Sequence, residues 1–290
     1  MRVLLTGATG YVGSAAAEAL RAAGHEVLGL ARSDAAAAKL EAAGFAARRG
    51  DLARPETLAA SVAEADATVH AAALPGGEDA AAVAAMLRML DGTGKPFVYT
   101  SGAWVLGSTG DAVADEDAPA SAPELVAWRP AVEEAVRAAG GVVLRPTVVY
   151  GRGGGTPASM VRSALRKGVV RYVGDGRQRW PLVHVDDLAE LYVLALAAEP
   201  GTLLHASAGP SIPAREVAEA AAAAHGARAE PWPLEAARAT LGAFADALAL
   251  DQQVSGARAG RLLGWAPRRP DVLWELREGS YALKGNDPAG

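Results

Sequence analysis

Nine residues close to the amino terminus, TGATGYVGS (6–14), constrain this chain more than any other stretch. They follow the apolar run Val3-Leu4-Leu5 and lead directly into AAAEALRAAG, so Gly7, Gly10 and Gly13 stand at a strand-to-helix turn. Each glycine there has a separate reason. The first permits a tight turn, the second lets backbone N–H groups approach a diphosphate, and the third lets helix and strand pack closely. Amides left over at the helix start face the anion. Glycine triplets occur in many turns, but this one opens a βαβ unit that closes at Glu26–Leu30, the setting a dinucleotide site requires. Gly7, Thr9, Gly10, Tyr11, Val12 and Gly13 are therefore the expected pyrophosphate-side residues.

The pattern continues. Short runs near 2–5, 26–30, 46–48, 67–70, 97–100 and 141–144 read as strands, and the stretches 12–23, 34–43, 55–64, 80–90 and 130–139 read as helices. Gly24, Gly44 and Gly140 follow three of these helices, where a left-handed cap is expected. Six βα repeats predict an α/β fold, a Rossmann-type doubly wound parallel sheet. After Pro146 the alternation loosens: GRGGG (151–155) and GDG (174–176) read as loops, helices are expected over 185–198 and 214–224 with a strand at 203–206 between them, and PWPL (231–234) interrupts the chain. We expect a dinucleotide-binding domain over 1–150, receiving further elements from about 180–206, and a smaller substrate-binding lobe over 151–290.

Composition narrows the partners. The net charge is −5 and the basic residues are scattered, which argues against nucleic acid and anionic membrane and for a small-molecule substrate. Cysteine is absent, so disulfides and thiolate chemistry are excluded. No run approaches the ~18 apolar residues of a membrane span, and the first strand begins at once, so a cytoplasmic location is expected.

The end of the second strand selects the nucleotide. NAD sites place an acid there for the ribose hydroxyls, whereas NADP sites place a cation or small polar group for the 2′-phosphate. This chain reads GLARSD (29–34), with Ala31 in the acid's place, then Arg32 and Ser33. The expectation is NADP rather than NAD, the alternative being Asp34 on the ribose with Arg32 in solvent.

With the loop spelled TGATGYVGS, the chain resembles the short-chain dehydrogenase/reductase superfamily, specifically its extended, NAD-dependent epimerase/dehydratase-like branch. The likeness runs along GDLARPETL (50–58), VHAAA (69–73), FVYTSGAWVLG (97–107), LRPTVVYGRGG (144–154), RWPLVHVDDLAELY (179–192) and VSGARAGRLLGWAPRRP (254–270). It implies that Asp51 and Leu52 lie beside the adenine, that Ala71, Ala72 and Ala73 flank the ribose and pyrophosphate, and that Thr100, Pro146 and Val149 border the nicotinamide side. It also implies pairing of related proteins through the helices after strands four and five, hence a homodimer.

The family's proton chemistry rests on a tyrosine and a lysine four apart on one helix, the lysine lowering the tyrosine's pKa. Here that window, ELVAWRPAVEEAVRAAG (124–140), contains neither residue. Trp128 stands near the tyrosine's place, and Pro130 fits only a first helical turn. The resemblance therefore points to an atypical extended member. Ser101 and Tyr150 are the candidate replacement donors, with water as a third. Alignment on VLG (105–107) puts Gly102 rather than Ser101 in the family's serine slot. Arg129 offers a cation that binds better than it transfers protons. Trp104, Trp128, Arg129, Arg177 and Trp180 are the expected substrate-pocket residues.

His184 beside Asp186 and Asp187 could relay protons, although the resemblance favours a structural helix start there. His70 is expected on the cofactor side of strand four, and His25, His205 and His225 as structural. No spacing of His, Asp and Glu suggests a metal. Three functions remain in view: an NADP-dependent oxidoreductase acting on a small carbonyl or alcohol; a redox-neutral epimerase, isomerase or lyase; and a nucleotide-binding sensor or scaffold without turnover.

Overall fold

A computed structural model describes residues 1–74 and 76–282. The first half alternates β1 (Arg2–Thr6), α1 (Tyr11–Ala22), β2 (Glu26–Ala31), α2 (Asp34–Ala42), β3 (Ala46–Arg49), α3 (Ala59–Glu64), β4 (Ala67–His70), α4 (Gly76–Leu90), β5 (Phe97–Thr100), α5 (Arg129–Ala138) and β6 (Val142–Pro146). Then come β7 (Val148–Tyr150), α6 (Gly155–Lys167), β8 (Val169–Val173), β9 (Arg179–Trp180), β10 (Leu182–His184), α7 (Val185–Ala195) and β11 (Leu203–Ala206). The last described elements are β12 (Ile212–Pro213), α8 (Ala214–Ala224), β13 (Arg228–Trp232), α9 (Leu234–Leu241), α10 (Phe244–Leu248), α11 (Ala257–Leu263) and α12 (Val272–Arg277).

Seven of these strands form one parallel sheet in the order β11-β6-β5-β4-β1-β2-β3. Strand alternation explains why helices cover both faces. Val3 and Leu5 point into a core shared with Ala16 and Leu20 of α1 and with Leu188, Leu191 and Tyr192 of α7. Leu4 points the other way, toward Leu58, Val62, Met86, Val132 and Val136. Because β2 and β3 grow to one side of β1 and β4 to the other, the carboxyl ends of β1 and β4 diverge in their connections, and such a switch point leaves a crevice.

The second half is more regular than the loosened alternation suggests. Beyond Gly154, α6, β8 and α8 enclose a core of their own around Met160, Val161, Val170, Tyr172, Trp180 and Val217. PWPL interrupts the chain as expected, β13 ending at Trp232 and α9 starting at Leu234 across Pro233, but its first proline is accommodated in the strand. Pro231 lies within β13, which pairs with β8 in a two-stranded sheet and so has an open edge where a missing N–H costs no ladder bond. Elements that return to the main sheet extend past the anticipated 180–206, since Ala259 of α11 and Trp265 join the first core. The 55–64 stretch starts as a 3₁₀ turn, Pro55–Leu58, before α3. No helix among the described residues is long and apolar enough to cross a membrane.

Candidate functional site

At the switch point the glycine loop takes the shape its spacing predicts. Gly7 adopts φ +74°, and a Cβ there would lie 2.7 Å from the Ala72 nitrogen. A Cβ on Gly13 would lie 2.1 Å from the Gly7 carbonyl oxygen, so helix α1 can approach the turn only without a side chain. Gly10 caps α1 with no side-chain acceptor, and no acid occupies the first turn. The helix start thus keeps its positive end open to an anion.

Beneath the loop, buried polar groups fix the segment after β4. Thr6 Oγ1 lies 2.8 Å from His70 Nδ1 and accepts from the Ala72 amide at 3.3 Å. His70 Nε2 is 3.2 Å from Asp79 Oδ1, which also accepts from the Leu74 amide, and the Tyr99 hydroxyl donates to Asp79 Oδ2 at 3.3 Å. His70 is fully buried, so it orders the Ala71–Leu74 path from below rather than facing the crevice.

A cleft of about 370 Å³ opens above the carboxyl ends of the strands. It gathers Tyr11 and Val12 from α1, Ala71, Ala72 and Ala73 after β4, Thr100, Ser101 and Trp104 after β5, Arg129 at the start of α5, and Pro146 and Val149 around β7. Residues dispersed over the sequence are thereby brought to one place. A wider depression, about 710 Å³, lies along α1 and α7 among Glu18, Arg152, Glu190 and Arg268, and none of the expected site residues lines it.

Inside the cleft the hydroxyls of Tyr11, Thr100, Ser101 and Thr147 are committed. Ser101, 7 % exposed, donates to the Glu133 carboxylate, which Arg145 holds with Nη2–Oε2 at 2.5 Å. Thr100 Oγ1 is 2.7 Å from the Tyr192 hydroxyl, and Tyr11 donates to the Gly151 carbonyl at 2.8 Å. Arg129 differs. Its Nη1 donates to the Thr100 carbonyl at 3.1 Å, its guanidinium lies 5.0 Å from the Trp128 ring centroid, and its buried Nε has no acceptor among the described residues.

Several expected residues lie elsewhere. Tyr150 faces the second core, stacks edge-on to His184 with centroids 5.3 Å apart, and donates to the Pro270 carbonyl at 2.9 Å; burial pushes its phenol pKa up, further from neutrality. Trp180 is 4 % exposed in the same core, donating to the Leu248 carbonyl. Trp128 packs against the α5 side of the main sheet, outside the cleft lining. Arg177 is solvent-exposed beside Asp175. His184 caps α7 through the Asp186 amide, and burial lowers its pKa.

On the adenosine side, Arg32 is exposed and has no ion-pair partner among the described residues. Ser33 caps α2 by accepting from the Ala36 amide, while Asp34 is drawn to Arg49. Asp51 accepts from the Ala53 amide and from Arg54, and Leu52 is buried next to it. Lys39 Nζ donates to the Thr9 carbonyl at 2.7 Å, a cation at the glycine loop that the sequence patterns did not single out. They also missed Gln252, which reaches the cleft from a segment outside every helix and strand, where no periodicity marks it.

A glycine turn with an open helix start, set at the switch point of a parallel doubly wound sheet, defines a nucleotide-binding α/β protein. The chain belongs to the NAD dependent epimerase/dehydratase family, which it matches over residues 3–123 and 126–204, and so to the extended short-chain dehydrogenases/reductases. The Schizosaccharomyces pombe protein C2A9.02 is 33 % identical, over 97 % of this chain and 100 % of its own length. The 2-alkyl-3-oxoalkanoate reductase of Stenotrophomonas maltophilia is 30 % identical, over 78 % and 76 %. Among solved structures, human epimerase family protein SDR39U1 with NADPH superimposes with a TM-score of 0.77 at 27 % identity, covering 98 % of this chain and 100 % of that one. Relatives of this kind support a nicotinamide cofactor and enzyme chemistry.

Proposed function

We propose that the protein is an NADP-dependent oxidoreductase acting on a small carbonyl or alcohol in the cleft between Trp104, Arg129 and Val149, without a Tyr-Lys pair. The observation that carries this reading is Arg129: a guanidinium anchored through Nη1 on the Thr100 carbonyl at the wall of the cleft that the glycine loop opens into. A bound NADPH supplies the hydride.

The chain's own part is electrostatic. Arg129 directs N–H groups at the oxygen that gains negative charge as the carbonyl is reduced, and a preoriented cation in an apolar cleft stabilises that charge strongly. An arginine stays protonated, so the proton itself comes from water held by that guanidinium. Ser101 and Tyr150 donate their hydroxyl hydrogen bonds to Glu133 and the Pro270 carbonyl and serve as anchors. Exposed Arg32 and the absence of an acid at Ala31 support NADP over NAD, as does the NADPH in the human relative.

The test is deuteride transfer. NADPH labelled at the reactive carbon is incubated with a panel of small ketones and aldehydes, and product deuterium is read by mass spectrometry. Label in the alcohol supports the reading. Exchange or racemisation without net cofactor oxidation would instead indicate a redox-neutral enzyme, and tight NADPH binding with no transfer across the panel a sensor.

A further inference from the structure

Gln252 is the one cleft residue contributed by the segment after α10, and only 2 % of it is exposed. Its backbone amide donates to the Arg179 carbonyl at 2.9 Å, and Arg179 in turn grips the neighbouring Asp251 through Nε and Nη2 at 2.9 and 2.7 Å. The side chain is fixed as firmly. Nε2 donates to the Ala103 and Gly107 carbonyls, each at 2.8 Å. Because both partners are carbonyls, they determine which end of the amide is nitrogen, and both of its hydrogens are spent.

Oε1 is what remains. It accepts from no donor among the described residues, on a buried side chain that lines the cleft beside Trp104. Oε1 is not among the fully buried unpaired atoms, so it stays open to the cleft, and an acceptor held in place this rigidly is matched by a donor arriving with the ligand. The apolar part of the wall, Ala71, Ala72, Ala73, Val126 and Val148, has no side-chain donor. Arg129 contributes the complementary feature, a cation at the cleft wall.

We propose that Gln252 is a specificity residue: it accepts a hydrogen bond through Oε1 and so selects carbonyl substrates bearing a hydroxyl or N–H close to the reacting group. The proposal rests on the oxidoreductase reading of the cleft. A substrate lacking that donor leaves Oε1 desolvated and unpaired, and sites built on a polar partner discriminate strongly against analogues without it. Purely hydrophobic selection gives far less.

Binding to the NADPH-loaded protein tests this without requiring turnover. The probes are 2-hydroxyacetophenone and acetophenone, whose shared ring suits the Trp104 wall, with Kd measured by calorimetry. The wild type should favour the hydroxyketone by about tenfold, the worth of one net hydrogen bond. In Gln252→Met the preference should fall within about twofold, through loss of hydroxyketone affinity. That variant also frees the Ala103 and Gly107 carbonyls, so a second, Gln252→Lys, keeps a donor for them while removing the acceptor. The wild-type comparison stands even if neither variant folds. Equal affinity for the two ketones in the wild type, absence of binding to both included, or a preference that survives in either variant, overturns the assignment. A prior titration separates the layers: if NADPH does not bind, the reading of the cleft falls and Gln252's role with it, whereas NADPH binding without discrimination removes only the latter.

Discussion

Arg145 Nη1 lies 3.3 Å from His205 Nε2 in the interior of the sheet, and this contact fixes the state of the imidazole. An arginine can only donate, so Nε2 accepts and the His205 proton sits on Nδ1. Both side chains are buried, and Arg145 is also the cation that holds Glu133, the acceptor of the Ser101 hydroxyl. The floor of the cleft is thereby tied to the β6–β11 pair.

Burial, and then the adjacent guanidinium, lower the His205 pKa from 6.5 to about 3. Between those values the unfolded chain takes up a proton that the folded chain refuses, so this group's contribution to stability is complete above pH 6.5 and is lost as the pH falls toward 3. One proton corresponds to about 1.4 kcal/mol per pH unit. Urea unfolding across this range should show a slope shallower by that amount in His205→Gln, whose amide oxygen can still accept from Arg145; identical slopes would contradict the assignment.

Arg32 gives the second prediction. It is exposed and unpaired among the described residues, and nothing folds around it, so Arg32→Ala should leave the melting temperature unchanged. NADPH affinity should fall about 10- to 100-fold, the loss of charge-assisted bonds to the 2′-phosphate, while NADH affinity stays level. Fluorescence titration with both nucleotides reads the difference. Equal losses for the two would move the phosphate contact to Lys39 or Arg49.

The glycine loop offers a graded comparison. A Cβ at position 13 meets the Gly7 carbonyl oxygen at 2.1 Å, whereas at position 10 it meets the same atom at 3.2 Å. Gly13→Ala must push α1 off the turn and should cost about 1–3 kcal/mol of stability together with nucleotide binding. Gly10→Ala should unfold close to the wild type yet bind nucleotide more weakly, since the proposed nucleotide site sets it against the diphosphate. Denaturant midpoints and nucleotide titrations separate the two effects.

How far the sequence discloses this architecture depends on where each element gets its stability. The strands β1 to β5 and their helices were legible because their periodicity is local, and β4, β11 and α8 fall on the expected bounds. The pairs β7–β10 and β9–β12 are two or three residues long and exist only through tertiary contact, so no pattern announces them. The same holds for side chains. Val149 lines the cleft, but its neighbour Tyr150 points into the second core, and one step along a strand reverses a side chain. Gln252 was invisible because its role comes from two carbonyls nearly 150 residues away in the chain.

Substitutions at Arg129, Ser101 and Tyr150 divide the candidate proton-handling groups. Tyr150→Phe removes a bond to the Pro270 carbonyl and should cost about 1 kcal/mol of stability with ketone reduction retained. Ser101→Ala takes a donor from Glu133, whose carboxylate keeps its contacts with Arg145, so the effect should again fall on stability more than on turnover. Arg129→Ala should lower kcat/KM for NADPH-dependent reduction by about 100-fold or more, on the scale of losing one oxyanion donor, with Arg129→Lys intermediate because the charge returns without the planar fork. If Tyr150→Phe abolishes reduction while Arg129→Ala retains it, the alkoxide is stabilised by a phenol after all, and the second-lobe core must open during turnover to bring it there.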